Sequence, residues 1–486
     1  MKKIIILLLA IIVLCFMPGK AAAVVDVEST SIFHYIMGML YFYDENIDGT
    51  IKEFEKAVEL DGNLLFMQEN LMELYFSKKD YEKAEIEAKK ILEHDKNNLR
   101  AYQYLAEIIP LRGGDISEAL GYQKKVIGFI PKDAMAHFYL AALYGQLNDT
   151  VSAKKEFKIV LSLDRKNIQA YLLLASLYEY EKKEEEAMML YKRALKINPD
   201  NTEIIDRLGT LQNKQKKFAE AISNFQKSIV VNPYDVKALY NLVLLNDKSG
   251  DWKKTAEYLE RIDKVNPGDA RICVHLGISY IELERYDDAV NILKKVLETD
   301  PENDTAQPLL GMAYEYKKMY REASEAFLKS IEKNPDKKEH YFQLGLCYDN
   351  LKEYDKSDEA FQKALEIDPK FAYALNYLGY SWAERGVNLD KALANIEAAL
   401  KVEPDNGSYT DSLGWVYFKL GDYRKAEKIL LKASQLLKDP VIFEHLGDTY
   451  VKLTKASQAL VVYRKAQKLD PGKKELLEKI NKLSGK

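Results

Sequence analysis

Pro199, Pro233, Pro267, Pro301, Pro335 and Pro369 each stand 34 residues after the last, and each follows Asn or Asp. A fixed period of 34 is the spacing of a repeated helix–turn–helix unit. Proline ends a helix and drives the residue before it out of the α region, so the break recurs at one place in every unit. The ladder predicts an all-α chain of stacked two-helix units, each touching its neighbours. Such a chain acts through its surface and not through a buried reaction centre.

Small residues recur between the prolines where two helices must approach closely. Gly277, Gly311, Gly345 and Gly379 fall mid-way along the first helix of successive units, and Ala289, Ala323 and Ser357 are expected to face them from the second. Tyr280, Tyr314 and Tyr348 lie one turn after the first three glycines and fill the space between units. Registering the pattern gives about thirteen units between Ser31 and Gly472. After Pro471, Leu476, Leu477, Ile480 and Leu483 supply one apolar face for a capping helix.

The unit Leu309-Leu310-Gly311-Met312-Ala313-Tyr314, with Ala323, Phe327 and Pro335, closely resembles the tetratricopeptide repeat. The resemblance covers nearly all of the chain after its leader. It implies a right-handed superhelical solenoid of about thirteen repeats with a C-terminal capping helix, whose first helices line a concave face that takes extended peptides or proteins.

The departures set the expected domain plan. Residues 31–235 are more degenerate repeats, with Met72 where glycine is preferred, and Pro110 with Gly113-Gly114 is expected to shorten the helix that starts near Leu99. Residues 236–269 carry Val243 and Thr255 at small-residue positions and read as a looser joint. Residues 270–473 are the regular C-terminal repeats, and 474–486 the cap and tail.

The first residues read as a signal peptide spanning 1–23, followed by a short linker at 24–30. Lys2 and Lys3 precede an apolar stretch from Ile4 to Met17, and Ala21-Ala22-Ala23 offers small residues for cleavage. The stretch is short for a membrane span. Removing it takes away three lysines and no acid, so the formal charge moves from −4 to −7. A periplasmic product follows; the alternatives are a lipid anchor at Cys15, which lacks a small residue before it, and an uncleaved anchor. Membrane association would then come through a partner or that N-terminus.

The chemistry that this sequence omits narrows its function further. His34, His94, His137, His275, His340 and His445 fall in different units without metal-ligand spacing, and no phosphate loop or nucleophile elbow occurs. No catalytic, cofactor or metal site is expected, and the near balance of acids and bases gives no footprint for nucleic acid. Cys273 and Cys347 lie two units apart, beyond disulfide reach, and read as small core residues.

The expected partner surface is the inner face of the C-terminal half. It comprises Val274, Ile278, Met312, Tyr316, Phe342, Leu346, Tyr373, Tyr380, Trp415 and Phe418, with the amides of Asn350 and Asn376. Alanine at Trp415 and Phe342 is expected to weaken a partner without lowering helicity. The inner face near Asp206, Thr210, Asn213 and Lys214 is more polar. Ile32, Tyr35, Met39, Phe42 and Tyr43 form a second apolar patch on the first unit.

From Ala374 to Leu453 the chain resembles the C-terminal block of bacterial envelope tetratricopeptide proteins, through Asn376-Tyr377-Leu378-Gly379-Tyr380, Asp411-Ser412-Leu413-Gly414-Trp415 and Glu444-His445-Leu446-Gly447-Asp448. That group includes adaptors of carboxyl-terminal processing proteases. The implied role is a non-catalytic scaffold bringing an envelope protease and its substrates together. The alternatives are an assembly factor for polysaccharide export, pili or outer-membrane proteins, and a regulator that occludes an enzyme.

Overall fold

The computed structural model describes residues 30–485, so the leader and Cys15 lie outside the described residues. Among those described, the chain forms twenty-seven α-helices and no strand. The described residues divide into two compact units, with the boundary between Pro233 and Tyr234. The first holds six helix pairs, from Ser31–Tyr43 with Ile47–Leu60 to Thr202–Lys214 with Phe218–Val231. The second holds seven pairs, from Val236–Ser249 with Trp252–Val265 to Pro440–Lys452 with Ala456–Leu469, and then the single helix Lys474–Ser484. Each unit is therefore an all-α array of stacked pairs, with the repeat number and cap that the sequence predicts.

The proline ladder works as its chemistry requires. Asn198, Asn232, Asn266, Asp300, Asn334 and Asp368 each cap the end of a second helix with φ between −123° and −135°, outside the helical range. A second ladder is visible only in the backbone. The turn inside each pair passes through a left-handed residue, at Glu45, Lys79, Gly113, Asn148, Lys182, Lys216, Gly250, Glu284, Lys318, Lys352, Gly386, Gly421 and Thr454. It marks all thirteen pairs, whereas the regular proline rungs mark six. Most of these residues carry a Cβ, which is disfavoured at positive φ. Lys318→Gly is expected to stabilise the C-terminal unit by about 0.5–1 kcal/mol, the steric gain exceeding the extra freedom of glycine in the unfolded chain. Chemical denaturation measures this, and unchanged or lower stability would show that the lysine is not strained.

The close approach within each pair is real, but its contact partner differs from expectation. A Cβ on Gly311 would come within 2.9 Å of the Phe327 ring, and one on Gly345 within 2.6 Å of Phe361. The aromatic ring one turn beyond Ala323 or Ser357 thus fills the space that glycine leaves open. Ala323 and Ser357 are fully buried, and the Ser357 hydroxyl donates to the Gly345 carbonyl at 2.9 Å. Met72 is also fully buried, its side chain occupying core volume in a unit without that glycine.

Three local expectations change. The helix Leu99–Leu111 keeps the thirteen residues of the first helices in the adjacent pairs, because Pro110 sits in its last turn and removes only one donor. Val243 and Thr255 are fully buried, and the Thr255 hydroxyl donates to Asp247 at 2.8 Å, so the pair 236–265 is not loosely packed. In the capping helix Leu476 and Ile480 are buried but Leu477 is exposed; one helical stripe is narrower than the four leucine and isoleucine positions suggested. On the first pair, Tyr35 stacks on Phe54 with centroids 5.8 Å apart, while Phe42 and Tyr43 remain exposed.

Candidate partner-binding site

The inner face of the C-terminal unit is built by the helices Ala372–Arg385, Gly407–Lys419 and Pro440–Lys452. Helical spacing puts Tyr373, Asn376, Tyr377 and Tyr380 of the first on one side. They meet Tyr409, Asp411 and Ser412 of the second, and Asp439 with Ile442 at the start of the third, around a cleft of about 400 Å³. Small residues let the supporting helices come close: a Cβ on Gly414 would strike Leu430 at 2.6 Å. The extra residue in this repeat is accommodated by the turn after Arg385, where Gly386 and Asn388 are both left-handed. Arg385 and the Trp382 indole both donate to Asp358, fixing that turn to the preceding pair.

Two polar atoms in this cleft stand out. The Asn376 carbonyl oxygen Oδ1 and the Tyr409 hydroxyl are buried and have no hydrogen-bond partner among the described residues. Burial pushes the Tyr409 hydroxyl up to about 12, so it stays a protonated donor near neutrality. An unpaired buried polar group costs roughly 1–3 kcal/mol, so these two are the cleft's candidate contacts for a ligand. The cleft's two acids, Asp411 and Asp439, are already engaged, Asp439 as acceptor for the Val441 N–H. Asp411 meets His445 Nδ1 at 2.9 Å, and both are buried.

Of the twelve predicted groove residues, the structure gathers seven about this region. Phe342, Leu346, Tyr380 and Phe418 pack partly buried against the core that contains Trp415. Tyr373 and Asn376 line the cleft itself. Phe342 contacts Tyr373 and Tyr377 with ring centroids 6.2 and 5.4 Å apart. The other five do not line it. Ile278 and Met312 are half-buried on their own helices, Tyr316 is exposed and stacked on Tyr286, and the Asn350 amide donates to the Leu346 carbonyl.

Two predicted surface residues are walls instead. Val274 is buried, and Trp415 is sandwiched between Phe418, at 4.5 Å, and His445, at 4.0 Å, while its indole N–H donates to Glu384. The tryptophan is consumed by packing between successive inner helices, so its alanine variant would lower stability and not report on binding alone. Tyr377, Tyr409 and Asp411 were not singled out as groove residues. Asp411 repeats the Asn376 position 35 residues on and Tyr377 lies one turn after Tyr373, whereas Tyr409 falls at the position of Ala374 and has no such signal. The inserted residue after Arg385 obscures the Asp411 register.

The remaining candidates take structural roles. His137 and His275 pair with Glu156 and Asp247 at 2.6 and 2.9 Å. Cys273 and Cys347 are free and buried, and burial pushes their thiols up to about 11 and about 12. Among the described residues, no group of three His, Cys, Asp or Glu side chains is placed to hold a metal ion, and no helix is long and apolar enough to cross a membrane.

Models of the tetratricopeptide repeat match residues 168–201, 248–313, 309–337, 339–371, 383–436 and 442–473. The chain belongs to the tetratricopeptide repeat family. A TPR repeat-containing protein of Pseudomonas aeruginosa is 37% identical over 81 residues, which is 17% of this chain and 14% of that protein. Another, from Methanocaldococcus jannaschii, is 37% identical over 98 residues, 20% of this chain and 16% of that one. The chain thus spans only a small part of both relatives. The crystal structure of a tetratricopeptide repeat protein from Parabacteroides merdae is 19% identical, with a TM-score of 0.45, covering 52% of this chain and 99% of that one. Proteins of this family act in general as scaffolds that bind protein partners.

Proposed function

We propose that this tetratricopeptide repeat protein is a non-catalytic scaffold of the bacterial envelope whose C-terminal unit captures an extended peptide segment in the Asn376–Tyr409 cleft. The observation that carries the reading is the pair of buried, unpartnered polar atoms at its wall. A peptide backbone supplies what both lack, since its N–H donates to the Asn376 oxygen and its carbonyl accepts from the Tyr409 hydroxyl. The exposed rings of Tyr373 and Tyr377 cover an apolar side chain of the same segment. For the cellular role we propose delivery of a substrate to a periplasmic protease, a reading supported by the block from Ala374 to Leu453 that contains the cleft.

Asn376→Ala and Tyr409→Phe are each expected to weaken the partner about tenfold while leaving stability unchanged or higher, because each removes an unpaired buried group. Photo-crosslinking in cells from position 377, repeated in the Asn376→Ala background, identifies the partner. Capture of a protease and its client supports delivery. Capture of export machinery or of one enzyme alone replaces that role, and a crosslink unaffected by Asn376→Ala rejects the cleft.

A further inference from the structure

The N-terminal unit contains a second cleft, of about 470 Å³, between the helices Leu99–Leu111 and Ala134–Gln146 with Ile116–Phe129 beneath them. Its rim is apolar and open: Leu111, Met135 and Tyr139 are about half exposed. The only charged side chains lining it are the acids Glu107 and Asp133, beside the amides of Gln103, Gln123 and Gln146. Pro110 has no N–H, so the Ala106 carbonyl, on the same wall, lacks its usual helical partner. Glu107 lies beside it, exposed and with no ion pair or hydrogen bond among the described residues, and partial desolvation raises its carboxyl above the ordinary range. Asp133, at the far edge, is already committed to the backbone N–H groups of Met135 and Ala136. No lysine, arginine or histidine lines the cleft.

We propose that this cleft binds an arginine side chain presented by a partner polypeptide. The guanidinium donates to the Glu107 carboxylate and to the Ala106 carbonyl, two acceptors one residue apart that its planar fork spans. Its three-methylene stem lies along Leu111 and Met135, and Tyr139 offers a ring face for the cation. The site is independent of the Asn376–Tyr409 cleft, which belongs to the other unit.

The test uses the full chain and three capped peptides, Leu-Ala-X-Ala-Leu with X as arginine, lysine or citrulline, titrated by NMR. Citrulline keeps the shape of arginine and removes its charge. The arginine peptide is expected to bind at least tenfold more tightly than the citrulline peptide, with lysine between them. Glu107→Gln is expected to remove most of that preference while keeping native helicity, and Asn376→Ala to leave it intact. No detectable arginine binding, equal affinity for the citrulline peptide, or an unchanged preference in Glu107→Gln overturns the proposal. A preference lost in Asn376→Ala but kept in Glu107→Gln also overturns it, since it assigns the arginine to the other cleft.

Discussion

Trp415→Ala is expected to lower the stability of the C-terminal unit by about 3–5 kcal/mol, the cost of deleting a large buried aromatic side chain. The ring lies parallel to Phe418 and to His445 and belongs to the same core as Leu378, Trp382 and Ile396. Removing it opens a cavity beside the buried Asp411–His445 pair and strips Glu384 of its indole donor. Neighbouring repeats stabilise one another only through their interfaces, so the loss falls first on the helices after Lys419. Urea denaturation followed by circular dichroism reads the change; a loss below about 1 kcal/mol would show that the site repacks around alanine. Tyr373→Ala is the useful contrast. Its ring is 54% exposed, so stability should stay within about 0.5 kcal/mol while peptide affinity falls.

Stability of the same unit should fall by about 2 kcal/mol as pH rises from about 4.5 to 7, through Glu315 alone. Burial pushes this carboxyl from 4.5 up to about 7, and the buried Cys347 thiol lies near enough to feel its charge. In the unfolded chain the group ionises near its ordinary value, so across that interval the folded state holds the extra proton. Stability is therefore present below pH 4.5 and lost as pH rises through the folded value. The full shift corresponds to somewhat more than 3 kcal/mol, and partial solvent exposure of the group reduces it to about 2. Glu315→Gln should abolish this slope and leave the protein more stable than the parent at pH 8. Denaturation midpoints of the two proteins at pH 5 and pH 8 supply the comparison, and parallel changes in both would remove Glu315 as the cause.

Several functional features were legible in the residues because they are local. A proline fixes where a helix ends, and a glycine between larger residues fixes where two helices touch. The periodicity of Phe342, Tyr373, Asn376 and Tyr380 places them on the helices at and beside the cleft. It did not separate wall from surface. Trp415 and Tyr380 occupy the same register position one repeat apart, yet one is buried and the other lines the cleft. That difference comes from the neighbouring helix, where His445 is placed to stack on the indole.

The order of the chain alone determined an all-α array, its thirteen pairs and cap, and the lack of any spacing suited to a metal or a nucleophile. Those follow from covalent geometry and from which residues recur at 34. Only the tertiary structure decided which polar groups lack partners. Asn376 and Tyr409 are ordinary helix residues in the sequence, and so are Glu107 and Ala106. What distinguishes them is their setting: Asn376 and Tyr409 hold buried polar atoms with no partner among the described residues, while Glu107 and Ala106 stand at a cleft lined by no basic side chain.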